Sequence, residues 1–425
     1  MSRQYRSVCG GIKQMGYTDI IRNTRTGLRK RYRRAFSNLW DRRMEYDPRF
    51  ARISAFVKYE KMDISKLHEG KPPRLIQFRS YEYTYLLKSF ILNHSLAIKT
   101  NSIYFNNQPV DTIFSKIHDS FGVARILREN WEQFSEPVAI CLDHSKFDGH
   151  YNTTLLELEH SYWRSLSSSR ILKLLLKDQL SNKCITANNI KYKSRGSRCS
   201  GEYTTSEGNT LMNYAMLSSW LKFSGITDFR ITVNGDDSVV FIERKDQTKL
   251  ADLSFFRNFN METECDRIAE DFREISFCQA SPIRISKEGQ PTWFMVKEPF
   301  RAITRATYAD YKHRQCIDRL LTAQGLCEIA VNSGVPMLQE FALLLMSYGS
   351  LKPLGSIDKM PAKTSGRWLS SYVDIPDYTR SDFEIAFGVS KAEQQFIENS
   401  FAGQLRQPKS KILQTLLKYQ NFIKN

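Results

Sequence analysis

Residues 229–243, Phe-Arg-Ile-Thr-Val-Asn-Gly-Asp-Asp-Ser-Val-Val-Phe-Ile-Glu, leave the backbone little choice. β-Branched and aromatic residues run up to Asn234-Gly235 and resume beyond it. Asn-Gly adopts positive φ at low cost, so the stretch predicts strand, tight turn, strand. Any fold that accepts this hairpin carries Asp236 and Asp237 at its turn. Upstream, Val138-Ala-Ile-Cys-Leu-Asp143 is a short apolar run ending on an acid, the pattern of a buried strand. A sheet holding both segments can bring three carboxylates together from neighbouring strand ends.

The rest of the chain supplies helices around those strands. Helical periodicity predicts helices over 81–99, 119–134, 154–180 and 205–223, and another over 248–259 beside the hairpin. A loop is expected around Asn106, Asn107 and Pro109. Lys191 to Ser200 is polar and basic, contains Gly196, and reads as a loop. Beyond about residue 305 the pattern is largely helical, with Gly349 to Gly366 as the expected loop or internal boundary. There is no internal repeat and no low-complexity tract.

Charge narrows the partners. The 62 Lys and Arg residues exceed the 45 Asp and Glu residues, leaving +17 over 425 residues. Such a surplus favours polyanions, because neutralised phosphates release condensed counterions. Nucleic acid leads, and an anionic membrane surface comes second. The first 60 residues hold a cluster at Arg29, Lys30, Arg31, Arg33 and Arg34, either a solvated face or a contact for RNA phosphates. The eight cysteines contain no Cys-x-x-Cys pair, so no local zinc signature exists, and a reducing compartment is expected. No apolar run approaches the roughly 18–20 residues that span a bilayer. No Gly-x4-Gly-Lys-Ser/Thr phosphate loop is present, so a fused helicase is not expected.

Converging carboxylates suit phosphoryl transfer, in which two divalent cations about 3.5–4 Å apart activate the attacking oxygen and hold the leaving group. Magnesium takes oxygen ligands and fits that donor set, with manganese as a substitute. Spacing alone does not establish this. Asp143 and Asp148 form an Asp-x4-Asp pair, but so do Asp266 and Asp271, and a plain hairpin also uses Gly-Asp-Asp. Between the acidic segments lies Ser200-Gly-Glu-Tyr-Thr-Thr-Ser-Glu-Gly-Asn209. Thr205 and Asn209 share one helical face there, which is either an ordinary capped helix start or a polar surface that reads a ribose hydroxyl.

In order along the chain, these segments resemble the motifs of positive-strand RNA virus RNA-dependent RNA polymerases. Asp143-His-Ser-Lys-Phe-Asp148, Ser200 to Asn209, and Gly235-Asp236-Asp237 are similar to motifs A, B and C. Phe56-Val-Lys-Tyr-Glu-Lys61 with Lys71-Pro-Pro-Arg-Leu-Ile-Gln-Phe-Arg79 is similar to motif F, and Phe277-Cys-Gln279 to motif E. Trp293 to Lys297 also resembles the stretch after motif E. The likeness is greatest to the tombusvirus-like group, with flaviviruses more distant, and it covers roughly residues 56–306.

The resemblance implies an α+β right hand. Fingers and fingertips would take 1–137 with an insertion at 165–205, the palm 138–164 and 206–285, and a mostly helical thumb 286–425. Asp143, Asp236 and Asp237 would hold the metal ions. Asp148, Thr205 and Asn209 would select ribose, with Ser200 in the motif B loop. Arg74 and Arg79, with Lys58, Lys61 and Lys71, would meet the triphosphate of an incoming ribonucleotide. RNA template and product would fill a basic channel. A membrane-anchored viral replication protein is the implied partner, in replication complexes on host cytoplasmic membranes. The family's motif D lysine has no counterpart, because no Lys or His occurs between Ala251 and Ser286.

Rivals fit less well. A reverse transcriptase usually places an aromatic gate where Asp148 stands and an aliphatic or aromatic residue at Asn234. A non-catalytic RNA-binding scaffold has no need of clustered carboxylates in a basic channel. A nucleocapsid protein would explain the charge but not the ordered motifs.

Overall fold

A computed structural model describes residues 1–60, 68, 70, 72–306, 315–351 and 372–424, with side chains as far as 417. Lys61 and Lys71 lie outside the described residues, as does most of the Gly349 to Gly366 segment. The described strands are β1 (Ile53–Val57), β2 (Leu75–Phe78), β3 (Tyr104–Phe105), β4 (Gln108–Pro109), β5 (Pro137–Ser145), β6 (Ser181–Thr186), β7 (Lys191–Arg195), β8 (Arg230–Asn234), β9 (Asp237–Glu243), β10 (Glu262–Ala269), β11 (Ala280–Lys287) and β12 (Gln290–Lys297). Helices and small sheets alternate, and the class is α+β.

The chain forms two compact units, one of Met1–Ile117 with Leu142–Asp266, the other of His118–Cys141 with Arg267–Asn425. In the first unit β8 and β9 pair antiparallel, with Asn234 opposite Asp237. Gly235 at the turn has φ +71°, the conformation for which glycine carries no steric penalty. The four-stranded sheet runs β10-β5-β9-β8, so β5 and β9 are its inner strands. Val138 to Leu142 and Ser238 to Ile242 are buried without alternation, as strands covered on both faces are. A second sheet, β2-β1-β6-β7, has β1 antiparallel to β2 and parallel to β6.

The helix Thr205–Phe223 is the first unit's central rod. Buried residues surround its whole circumference, including Leu211, Met212, Leu217 and Trp220, so it lacks the polar face of a surface helix. The helix Tyr81–Thr100 starts at Ser80, whose hydroxyl accepts the Tyr83 N–H at 3.1 Å, a cap worth roughly 1 kcal/mol. In the second unit the β11–β12 hairpin packs Ile283, Ile285, Phe294 and Val296 against Val335, Leu338 and Phe383. Asp382, fully buried, accepts from Arg284 at 2.7 Å and 2.8 Å and from Arg273 at 3.2 Å.

Expected helices over 81–99, 119–134 and 205–223 stand at Tyr81–Thr100, Ser120–Trp131 and Thr205–Phe223. Three expectations need correction. Residues 154–180 are two helices, Thr153–Leu166 and Arg170–Lys177. Serines 167–169 divide them, and Ser169 caps the second, because serine hydroxyls compete for backbone groups. Residues 191–195 are not loop but the strand β7. It is a polar edge strand paired only with β6, so its side chains show no apolar period. Residues 248–259 are 3₁₀ turns rather than one helix. Asp252 accepts the Ser254 N–H at 2.8 Å and starts a new turn there.

Candidate active site

Three carboxylates sit on the inner strands and at the hairpin of the first unit. Asp143 is half-buried near the end of β5, Asp236 is at the turn between β8 and β9, and Asp237 opens β9. The Ser238 hydroxyl donates to the Leu142 carbonyl at 3.3 Å, tying β9 to the residue before Asp143. Asp236 reaches solvent, yet the protein around the turn strips away enough water to raise its pKa. The carboxylates of Asp143 and Asp148 raise it further, while Arg74 opposes them. Asp266 on β10 is likewise raised, by burial and then by Asp143. Burial and the repulsion of neighbouring acids outweigh the attraction of Arg74 at this turn.

That electrostatic deficit is the observation against which a metal is tested. Hard, oxygen-only donors that repel one another suit magnesium or manganese, which take one or two carboxylates and fill the remaining positions with water and substrate oxygens. Among the described residues no three Asp, Glu, His or Cys side chains form a ready-made cage.

The turn bearing Asp236 is held from behind by the Thr205–Phe223 helix. Asn213 donates from Nδ2 to the carbonyls of Gly235 at 3.0 Å and Asp236 at 3.1 Å. The Gly235 N–H donates to Thr210 Oγ1 at 3.0 Å. Asn213 Oδ1 faces His144 Nε2 at 3.0 Å, and His144 Nδ1 faces Thr263 Oγ1 at 2.8 Å. Because Oδ1 only accepts, Nε2 carries the imidazole proton. Burial lowers the His144 pKa and keeps the ring neutral. His144 is the neighbour of Asp143, so one neutral ring and one amide link the two acidic segments.

A second network fixes Asp148. Asn209 Nδ2 donates to Asp148 Oδ1 at 2.7 Å, and Asn209 Oδ1 accepts from Arg198 Nε at 3.1 Å. The Arg198 guanidinium is fully buried, pairs with buried Glu159, and lies 4.4 Å from the centre of the Tyr151 ring. Burial alone would pull the Arg198 pKa down, but Glu159 more than offsets it, so the group stays charged. Trp163 Nε1 donates to Glu159 Oε1 at 2.9 Å. Gly208 leaves room for this carboxylate, since a Cβ there would lie 2.2 Å from Glu159 Oε1. Burial raises the Asp148 pKa, against the lowering effect of the Asn209 bond.

The remaining expected residues divide. Thr205 donates to the Cys199 carbonyl at 3.0 Å, and Ser200 donates to the Leu75 carbonyl at 3.2 Å. Both hydroxyls thus anchor the loop that precedes the helix. Gly201 N–H bonds the Gln77 carbonyl at 2.8 Å, close enough that a Cβ would meet that oxygen at 2.6 Å. Arg74 is exposed, within electrostatic reach of Asp236, and donates from Nε to Glu60 at 2.6 Å. Lys58 pairs with the same carboxylate at 2.9 Å. These bonds, Arg74 first, hold the Glu60 pKa down at about 2.

Arg79 corrects the expectation placed on it. It is buried, pairs with Glu202, donates to Asn182 Oδ1 at 2.6 Å, and reaches the carbonyls of Ala51 and Asp178. In this structure the guanidinium is an internal tether between the end of β2 and the loop before the Thr205 helix, turned away from the exposed position that Arg74 holds. Asn213, Thr210, His144, Glu159 and Arg198 escaped the sequence reading. Asn213 had a signal: it continues the Thr205, Asn209 spacing by four along the same helix. Glu159 and Arg198 had none, because their pairing is purely tertiary.

A family model described as viral RNA dependent RNA polymerase matches residues 1–403. The chain belongs to the family of viral RNA-dependent RNA polymerases, and the match runs well beyond the stretch that the motifs marked. The RNA-directed RNA polymerase of Cymbidium ringspot virus is 28% identical over 407 residues, covering 93% of this chain and 48% of that protein. That of Tomato bushy stunt virus (strain Cherry) is 29% identical over 408 residues, with 93% and 48% coverage. That of Tobacco necrosis virus (strain A) is 29% identical over 372 residues, with 82% and 49% coverage. The chain spans about half the length of these curated relatives.

Proposed function

We propose that the chain catalyses template-directed RNA synthesis from ribonucleoside triphosphates and so replicates a viral RNA genome. One observation carries the reading: in a member of this family, Asp236 at the hairpin turn lies within electrostatic reach of Asp143 and of Asp148, which accepts from Asn209 at 2.7 Å. Asp143 and Asp236, supported by Asp237, would hold Mg²⁺ or Mn²⁺. When bound, these ions would lower the pKa of the attacking 3′-hydroxyl and neutralise the pyrophosphate leaving group.

The protein's own residues do the rest. Asn213 and Thr210 hold the Gly235-Asp236 turn so that the carboxylate does not reorganise during each addition. Asn209 and Asp148 present a donor and an acceptor to a ribose 2′-hydroxyl, which both donates and accepts. Arg74, with Lys58, exchanges Glu60 for the triphosphate, to which a guanidinium fork is well matched. Lys61 and Lys71 belong to the same basic segment. Residues 1–137 and 165–205 are read as fingers, 138–164 and 206–285 as palm, and 286–425 as thumb. No helix of the described residues is long and apolar enough to cross a membrane. A membrane-anchored viral replication protein is proposed as partner, at replication complexes on host cytoplasmic membranes.

The test is incorporation of labelled nucleotide on a short RNA template with Mg²⁺ or Mn²⁺. Asp236→Ala is expected to abolish addition while RNA binding stays within about twofold, since a single surface carboxylate contributes little to phosphate binding. Extension at the wild-type rate by that variant would remove Asp236 from the site. A wild-type chain that binds RNA tightly and never extends it would favour a scaffold.

A further inference from the structure

The basic cluster near the N-terminus lies on the helix Thr26–Asp41, outside the machinery above. One side of this helix buries Tyr32, Ala35 and Leu39 and packs on the helix Tyr81–Thr100. At 3.6 residues per turn, Lys30, Arg33, Arg34, Ser37 and Trp40 share the opposite side, and all five are exposed. Among the described residues, Lys30, Arg33 and Arg34 have no carboxylate partner. Arg31, by contrast, donates to the Tyr81 hydroxyl at 2.7 Å, and Arg29 to backbone carbonyls.

The arrangement works against the helix itself. Arg29 with Arg33 and Lys30 with Arg34 are like charges spaced four apart, which destabilise a helix. The first turn has no acidic residue and no side-chain cap, so nothing offsets the positive end of the dipole. The single acid, Asp41, stands at the far end.

Trp40 adds a second, independent observation. It is 66% exposed, and its ring continues a ladder through Phe36 to Tyr17, with centroids 5.8 Å and 4.4 Å apart. A large indole left in water at the end of a cationic row is a stacking platform. From Lys30 to Trp40 the helix rises ~15 Å, a few nucleotides of extended strand.

We infer that this face is a second binding site for single-stranded RNA, separate from the acidic site, in which Lys30, Arg33 and Arg34 follow the phosphates and Trp40 stacks a base. The buried side of the helix looks inward: Tyr32 meets Lys88, which also lies over Tyr203 of the loop before the Thr205 helix. The basic side lies opposite that contact, and among the described residues none of Lys30, Arg33, Arg34 and Trp40 bonds Asp143 or Asp236. An anionic bilayer suits the face less, because a membrane-surface helix needs a free apolar side, and here that side is spent on the Tyr81–Thr100 helix.

The experiment is fluorescence anisotropy with an end-labelled oligouridylate of ~12 nucleotides, long enough to span the row, across a salt series. It compares the wild-type chain with Trp40→Ala and with Lys30→Gln/Arg33→Gln/Arg34→Gln. Both variants change only exposed side chains, and circular dichroism checks their folding. Trp40→Ala is expected to raise Kd at least about fivefold, the lower end for losing one stacked base. The triple variant is expected to reduce the slope of log K against log salt by about 2, or 0.7 per phosphate contact. Unchanged affinity and slope in both variants would overturn the site. So would loss of binding to phosphatidylserine-containing vesicles with RNA affinity intact, which would make the face a membrane contact. Nucleotide addition is measured on the same samples. A wild type that extends no template, yet shows both RNA effects, would keep this site while removing the polymerase reading.

Discussion

Glu159→Gln tests whether a buried ion pair behind the site governs the Asn209–Asp148 pair proposed to read the ribose. Glu159 and Arg198 are both fully buried, and among the described residues Arg198 has no other carboxylate bond. Glutamine keeps the shape and leaves the guanidinium charged in a dry setting. Removing one member of such a pair typically costs about 3–5 kcal/mol. The affected unit has about 240 residues, for which each kcal/mol lowers the thermal midpoint by roughly 2–4 °C. The expected drop is therefore about 6–20 °C, followed by differential scanning fluorimetry. Arg198 also donates to Asn209 Oδ1, so a relaxed Arg198 frees the amide that holds Asp148. Discrimination between ribo- and deoxyribonucleotides, measured as a ratio of kcat/KM, is expected to fall about tenfold, the effect of about 1.4 kcal/mol on one positioned hydrogen bond. The double variant Glu159→Leu/Arg198→Met should recover most of the stability, because no charge stays buried, but not the discrimination. A midpoint lowered by under about 2 °C in Glu159→Gln, or a double variant less stable than the single, would refute the reasoning.

Other outcomes follow from the same contacts. Asn209→Ala should lower the preference for ribonucleotides with little change in RNA affinity, and unchanged selectivity in competition assays would remove it from ribose reading. Asn213→Leu leaves the Gly235 and Asp236 carbonyls without their donor, and should cut kcat by ten- to a hundredfold, about 1.4–2.7 kcal/mol of lost preorganisation, with KM for nucleotide nearly constant. A rise confined to KM would contradict that role. Lys88 is buried, donating to the Asn23 carbonyl at 3.0 Å and Thr24 at 2.6 Å, and burial lowers its pKa to about 8 from 10.5. The unfolded chain thus binds more protons between pH 8 and 10.5, so this residue makes stability rise with pH there, while below pH 8 the burial cost is present in full. Lys88→Met should flatten that rise in thermal melts, and a slope unchanged from wild type would place the titration elsewhere.

The local signals that succeeded share one property: the residues themselves carry the preference. Asn234-Gly235 favours a turn wherever it stands, and the uninterrupted apolar run at Val138 to Leu142 requires burial. The placement of Asp143 near a strand end, and of Asp236 and Asp237 at a hairpin, was legible because local geometry sets it. Where a reading failed, something distant decided. Edge strand β7 pairs with β6 although its polar sequence suggests a loop. Arg79 looks like any cation of its segment until Glu202, more than a hundred residues on, meets it in the interior. Glu159, Arg198 and Gly208 form one arrangement that no periodicity announces, because desolvation and the fit of three separated segments create it. The chain's composition and motifs determined its charge surplus and where its acids fall in the fold. Only tertiary packing decided which cations were spent holding the structure together, and which, like Lys30, Arg33 and Arg34, were left facing solvent.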